Sequence, residues 1–338
     1  MNMKILVTGG TGFIGSHTCV ELLQHGHRVT IVDNLSNSDV SVLERTREIT
    51  GRAVDFHQID LLDSEALDTL FSVSGFEAVI HFAGVKAVGE SVADPLKYYT
   101  NNVQGTLTLL RMMKKHRVNH LVFSSSATVY SPDNDMPLCE DSSLGPTNPY
   151  GRTKYMIEEI CRDLCSGDKD MKIVILRYFN PVGAHPSGLL GESPIGIPNN
   201  LFPYITQTAK GDRDYLRVFG NDYDTPDGTG VRDYIHVIDL AMGHIKALEA
   251  DLGSGIHVFN LGNGNGYSVL EIIAAFEKAT GKRVPYRIID RRLGDVPVCY
   301  SNPERALSIL KWKASRELQQ MCCDAWNYEK HVTNGRIK

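Results

Sequence analysis

Two periods of apolar and polar positions interleave along the first half of the chain. Short, nearly continuous apolar runs at Lys4-Ile5-Leu6-Val7, Val29-Thr30-Ile31-Val32, Ala78-Val79-Ile80-His81-Phe82, Leu121-Val122-Phe123 and Ile173-Val174-Ile175-Leu176 predict buried parallel strands. Between them, Ser16 to His25, Thr106 to Lys115 and Tyr150 to Cys165 carry helical spacing; in the first, Cys19, Val20, Leu22 and Leu23 form the apolar face. Strand and helix alternate in this way from Lys4 to about Tyr178, which predicts an α/β fold with a doubly wound parallel sheet.

The texture changes after Asn180. Residues 181–200 are dense in Pro and Gly and read as a long loop. Shorter elements follow at Leu201 to Ala209, Leu216 to Phe219, Val237 to Ala250, Val258 to Leu261 and Val269 to Thr280. The expected layout is a nucleotide-binding domain over residues 1–180 and a smaller α/β substrate-binding lobe over 181–338, with the chain crossing between them in places. Substrate is expected in the cleft between the lobes, at the carboxyl ends of the strands.

The first candidate chemistry is Thr8-Gly9-Gly10-Thr11-Gly12-Phe13-Ile14-Gly15, between the first strand and the first helix. Missing side chains let the backbone approach a pyrophosphate, and the helix N-terminus faces that anion. Gly9, Gly12, Phe13, Ile14 and Gly15 are therefore expected at a dinucleotide. Asp33 ends the next strand, about twenty residues on, where a carboxylate binds the adenosine ribose and repels a 2′-phosphate. The expected cofactor is NAD. Asp60 and Leu61, after a strand, are placed for adenine; Phe82, Ala83 and Gly84, at a strand end, for the pyrophosphate and ribose.

Composition narrows the class. The chain has 338 residues, 42% hydrophobic content and net charge −5, enough for a large core and without a basic stripe for nucleic acid. No apolar run reaches membrane-spanning length and the first strand begins at once, so neither a membrane span nor a signal peptide is expected. The seven cysteines are odd in number and scattered, with Cys322 and Cys323 adjacent and no Cys-x-x-Cys pair. No metal site is expected, and a reducing cytoplasm is the simplest setting.

Tyr150 and Lys154 stand one helical turn apart and share a helix face. An ammonium there is expected to favour the phenolate and lower the phenol's pKa, and a cationic nicotinamide to lower it further. Ser126 lies just past a strand end in Ser124-Ser125-Ser126, where its hydroxyl can share a proton with Tyr150 and a substrate hydroxyl. Lys154 also reaches toward the nicotinamide ribose. Each residue alone has an ordinary structural explanation; together and in this order they point to hydride transfer at a carbinol carbon, with Tyr150 moving the hydroxyl proton.

At these residues the chain resembles the extended short-chain dehydrogenase/reductases, nearly end to end. The segments His81 to Ser91, Ser124 to Tyr130, Arg177 to Pro186 and Gly230 to Val237 are similar to those of the UDP-hexose 4-epimerases. That resemblance implies oxidation of the sugar C4 by tightly held NAD, rotation of the 4-keto sugar and return of hydride and proton to its other face. It implies that Asn34, Lys86, Asn101 and Tyr178 join the cofactor set, and that Lys86, Ser126 and Tyr150 also meet the sugar nucleotide. Asn180, Asn200 and Leu201 then fall at diphosphate and loop positions, Phe219 borders the uracil, Arg232 and Arg292 hold the diphosphate and Asp295 binds the uridine ribose. A homodimer is implied, through a bundle including the helix that begins near Tyr150.

Two residues depart from the pattern. Ser131 replaces a common glycine. Cys299 stands beside the sugar, where epimerases restricted to plain hexoses tend to carry a bulky Tyr, and its small side chain leaves room for a 2-acetamido group. The expectation is interconversion of UDP-GlcNAc and UDP-GalNAc besides UDP-Glc and UDP-Gal, against an epimerase of the plain pair alone. A nucleotide-sugar 4,6-dehydratase is disfavoured, because Ala127-Thr128 stand where such enzymes carry an Asp-Glu pair. A non-catalytic NAD-binding protein is disfavoured by the presence of both Tyr150 and Lys154.

Overall fold

The computed structural model describes residues 2–196, 198–292 and 294–333. Its main sheet is built from β1 (Lys4–Thr8), β2 (Arg28–Asp33), β3 (Asp55–Gln58), β4 (Ala78–His81), β5 (His120–Ser126) and β6 (Lys172–Tyr178), joined by β10 (Gly255–Leu261). The strands are all parallel, in the order β10-β6-β5-β4-β1-β2-β3. Strand order reverses between β1 and β4, and the crevice that a parallel sheet opens at such a point is where ligands bind.

Burial on both faces explains the near-continuous apolar runs. Side chains alternate across a strand, so Ile5 and Val7 enter one core with Ile80, Val122 and Val174, while Leu6 enters the other with Val79, Leu121, Phe123 and Ile173. Helices α1 (Phe13–Gln24) and α9 (Val237–Glu249) pack together over the first core. Helices α3 (Ser64–Ser74), α6 (Gly105–Lys115) and α7 (Pro149–Gly167) cover the second, through Leu67, Leu109, Met113 and Ile157. Helix α2 (Ser41–Thr50) packs beside α1; α4 (Val88–Ala93) and α5 (Pro95–Tyr98) lie against α7.

The smaller lobe holds β7 (Asn180–Val182), β9 (Val231–His236), β11 (Gly266–Ser268) and β13 (Val298–Cys299) in one sheet, and β8 (Leu216–Phe219) with β12 (Tyr286–Ile289) in another. Helices α8 (Leu201–Lys210), α10 (Val269–Thr280) and α11 (Leu318–Thr333) close its core around Phe202, Ile205, Ile272, Phe276 and Met321.

Two segments depart from the expected layout. Position along the chain puts Val237–Glu249 and Gly255–Leu261 in the smaller lobe, yet they form α9 and β10 of the larger one. β10 pairs with β6 from Gly255↔Lys172 to Leu261↔Tyr178. An apolar strand reads the same in either lobe; its partner is chosen by the unsatisfied backbone groups of β6, which lie far away in sequence.

Candidate active site

The cleft is built first by its glycines. Gly9 has φ +70°, and a Cβ there would lie 2.6 Å from the backbone N of Ala83. A Cβ on Gly15 would lie 2.2 Å from the carbonyl oxygen of Gly9. The loop after β1 thus folds flat against the end of β4, and only glycine permits the approach. α1 begins at Gly12 with no side chain capping it and no acid in its first turn, which leaves its end open to an anion.

Asp33, buried at the end of β2, accepts hydrogen bonds from the Thr11 backbone N (3.2 Å), the Leu35 backbone N (2.9 Å) and Ser38 Oγ (3.2 Å). A carboxylate can accept about four such bonds, so capacity remains for a ribose hydroxyl. Asn34 Nδ2 donates to Asp60 at 2.8 Å, joining the ends of β2 and β3. A cleft of ≈ 820 Å³ opens over these strand ends. Gly9, Gly12, Phe13, Ile14, Gly15, Asp33, Asn34, Asp60, Leu61, Phe82, Ala83, Gly84, Lys86, Asn101, Tyr150, Lys154 and Tyr178 all line it. That volume lies at the upper end for small-molecule sites and suits an extended ligand such as a dinucleotide. Glycines at the helix end and a carboxylate at the ribose position fit NAD.

The reactive side chains meet where β5 ends against α7. Asn148 caps α7, accepting from the Gly151 backbone N at 2.9 Å, and Pro149 occupies the first turn, where its missing N–H costs nothing. Tyr150 and Lys154 then project onto β5. Tyr150, 7% exposed, hydrogen-bonds Ser126. Ser126 Oγ also accepts from the Thr128 backbone N (3.2 Å) and Thr128 Oγ1 (3.0 Å). Lys154 Nζ donates 2.8 Å to the Ser124 carbonyl and lies 5.0 Å above the Phe123 ring. Ser124 Oγ donates to the Tyr178 hydroxyl at 3.0 Å.

The expected lowering of the Tyr150 pKa is not seen in the protein by itself. Burial pushes this phenol above the usual tyrosine range, with the Tyr178 hydroxyl pushing the same way and the Ser126 hydrogen bond opposing. Burial also brings Lys154 down to about 8, against a pull upward from Glu158. Desolvation disfavours both charged forms here, and the ammonium hydrogen-bonds the Ser124 carbonyl.

The residues expected at the sugar nucleotide fall into two further groups, one apart from the dinucleotide cleft and one reaching its wall. In the first, Arg292 donates to Asp295 at 2.8 Å and its guanidinium lies 5.5 Å from the Phe219 ring centroid. Arg232 Nη2 stands 3.9 Å from the same Asp295 oxygen, and Arg232 pairs with Cys299 across β9 and β13. Five expected residues thus converge at one edge of the smaller lobe. In the second, Glu192 binds Lys86 Nζ at 3.3 Å and accepts from Asn200 Nδ2. Leu201 opens α8 directly after Asn200, and Asn180 opens β7, paired with Tyr234.

Several further cleft residues carry no local signal in the sequence. Leu190 to Ile195 and Tyr328 form the wall opposite the glycine loop, and Tyr328 hydrogen-bonds Ser193 and Arg45. Asn102 is fully internal; it bonds Val85 at both backbone atoms (2.8 and 3.0 Å) and Thr153 Oγ1 (3.1 Å), tying the loop after β4 to α7. The polar run Ser36-Asn37-Ser38, directly after the Asp33 strand end, is the exception that could have been found locally. All seven cysteines are free, and among the described residues no His, Cys, Asp and Glu cluster could hold a metal. Among them, too, no helix is long and apolar enough to cross a membrane.

Comparison with known proteins agrees with this geometry. The profile of the Epimerase family, described as the NAD dependent epimerase/dehydratase family, matches residues 5–262. A UDP-glucose 4-epimerase of Bacillus subtilis is 58% identical over 98% of each chain. Among solved structures, a UDP-glucose-4-epimerase of Stenotrophomonas maltophila with bound NAD and formylated UDP-arabinopyranose superposes with TM-score 0.97 at 50% identity, over 99% of this chain and 100% of that one. One from Bifidobacterium longum in complex with NAD+ and UDP gives 0.95 at 50% identity, over 98% and 99%.

Substituting Gly15→Ala sets a Cβ against the Gly9 carbonyl, and the backbone must shift. An overpacking cost of about 1–3 kcal/mol, if it falls on the bound form, corresponds to dinucleotide binding weakened roughly 5- to 150-fold. Calorimetric titration of cofactor-stripped protein with NAD measures it; unchanged affinity would show that the glycine loop does not hold the cofactor.

Proposed function

The chain belongs to the NAD dependent epimerase/dehydratase family, and from that premise we propose that it inverts C4 of UDP-hexoses, interconverting UDP-glucose and UDP-galactose. The observation that carries this reading is the meeting of Ser126, Tyr150 and Lys154 at the end of β5, on the edge of a cleft shaped for a dinucleotide.

NAD, held by the glycine loop and Asp33, would supply a reversible hydride acceptor. Tyr150, as phenolate, takes the C4 hydroxyl proton while that carbon becomes a ketone, and returns it when the carbinol reforms. Ser126 orients the hydroxyl by sharing a hydrogen bond with it and with Tyr150. Lys154 holds positive charge beside the phenol, offsetting the burial that otherwise keeps it protonated. Arg232, Arg292 and Asp295 anchor the nucleotide end, and the hexose is left free to turn over between the two hydride transfers. Elimination chemistry lacks its acid, since the turn Ala127–Val129 after Ser126 carries no carboxylate.

The finer proposal concerns breadth. Cys299 packs against the cluster of Val129, Tyr130, Leu138 and Phe179, the first two of which follow the end of β5 and the last the end of β6. Its small side chain supports acceptance of 2-acetamido sugars, so that UDP-GlcNAc and UDP-GalNAc are interconverted as well. We propose a homodimer too. Val92 and Leu96, 64% and 75% exposed, lie with Val88 and Met156 on helices that pack against one another, an apolar surface suited to a second copy of the bundle.

Incubating the purified protein separately with UDP-galactose and UDP-GalNAc, with no cofactor added, and following the anomeric protons by NMR tests activity and breadth together. Both are expected to convert; conversion of neither, even with NAD supplied, contradicts the epimerase reading. Tyr150→Phe should lower kcat by about 10²- to 10⁴-fold, the range for loss of a general acid–base group; near wild-type turnover would remove Tyr150 from the mechanism. Cys299→Tyr should abolish conversion of the acetylated pair and spare the plain pair, whereas equal loss of both refutes the gate. Leu96→Lys with Met156→Lys should shift the light-scattering mass from dimer to monomer, and an unchanged mass rules out this face.

A further inference from the structure

The acid–base pair is the visible part of a longer stack. Tyr150, Lys154 and Glu158 follow one another at single-turn spacing on α7, and all three are buried. Each meets one of three consecutive serines on β5. Tyr150 hydrogen-bonds Ser126, Lys154 Nζ donates to the Ser124 carbonyl, and Ser125 Oγ donates 2.6 Å to Glu158 Oε1. The third contact is itself braced by β6. Arg177, directly opposite Ser125 in the sheet, donates to Glu158 from Nε (3.0 and 3.2 Å) and from Nη2 (2.6 Å). Its remaining nitrogen, Nη1, bonds the Tyr130 hydroxyl (3.1 Å) and the Glu140 carbonyl (2.9 Å). Arg162 stands 3.8 Å from Glu158 on the solvent-facing turn.

A buried, fully partnered carboxylate on the helix that carries the acid–base residues has two consequences. It fixes α7 against β5 like a peg, because sliding or rotating the helix would break charge-assisted bonds in a dry interior. It also places negative charge one turn from Lys154. We propose that Glu158 is a positioning residue for the reaction, which sets the register of Tyr150 on Ser126 and keeps the Lys154 ammonium charged. This rests on the proposed role of Tyr150 and Lys154 in proton transfer. The other groups around Lys154 do not supply that charge. His81 on β4 is buried and neutral, its pKa pushed down to about 3; Tyr150, Tyr178 and the Ser124 carbonyl are uncharged; Arg177 is cationic and already committed to Glu158.

The test is the titration of Lys154 itself, followed by NMR of isotope-labelled lysine side chains, with Lys154→Met to assign the signal. In Glu158→Gln, which keeps the size and removes the charge, the midpoint should fall below the wild-type value by about one unit, tenfold in proton concentration. The alkaline limb of the kcat profile should move down by the same amount while KM changes little. A midpoint and limb that stay in place overturn the electrostatic role. Removing one partner of a buried pair can unfold a protein, so Glu158→Asp provides a second arm. It retains the charge but is too short to hold Ser125 and Arg177 together. Its Lys154 titration should match the wild type while kcat falls severalfold, and an undiminished kcat overturns the role in register. The NMR titration needs no turnover: a protein that shows the shift but epimerises nothing refutes the proposed function and leaves the Glu158–Lys154 coupling in place.

Discussion

A buried ammonium on a backbone carbonyl, Lys154 Nζ at 2.8 Å from Ser124, is the contact on which the site depends. It can exist only because α7 lies flat on the end of β5, with Ile157 and Cys161 in the core beneath. The same packing brings Tyr150 onto Ser126 and buries both from water. Burial has a chemical cost here. It disfavours the phenolate and the ammonium alike, pushing the Tyr150 phenol above the usual tyrosine range and bringing Lys154 down to about 8, where the ammonium still predominates at neutral pH.

The rest of the molecule serves that contact at greater range. β1, β4, β5 and β6 are successive neighbours in the sheet, so their carboxyl ends deliver the glycine loop, Phe82 to Gly84 and Tyr178 to one crevice, with Ser126 beside Tyr150 at its edge. The smaller lobe supplies the opposite wall through Leu190 to Ile195, and binds it back to the larger lobe through Glu192 and Lys86. The cleft is thus walled from both lobes, while Arg232 and Arg292 converge on Asp295 at an edge of the smaller one.

How much of this is legible in the sequence depends on distance along the chain. The glycine loop, Asp33, Tyr150 and Lys154 are local patterns with a steric or electrostatic reason behind each, and the structure places them around one cleft. Strands of a parallel sheet are legible from apolar runs, but which lobe claims β10 is not, because its partner β6 is more than a loop away and apolar runs carry no address. Asn102, Glu192 and Tyr328 are invisible for the same reason: each matters through a neighbour remote in sequence. The sign of the Tyr150 shift runs against the expectation because spacing on a helix shows who the neighbours are and not how dry they are.

The central claim is that one hydride leaves C4 and returns to the same carbon inside a closed site. It is tested most directly with UDP-galactose carrying deuterium at C4, turned over by the purified protein in ordinary water. The account predicts UDP-glucose that retains the deuterium at C4. Loss of the label to solvent would mean that C4 is inverted by removing a proton, and would contradict both hydride storage in the dinucleotide cleft and proton transfer from the C4 hydroxyl to Tyr150.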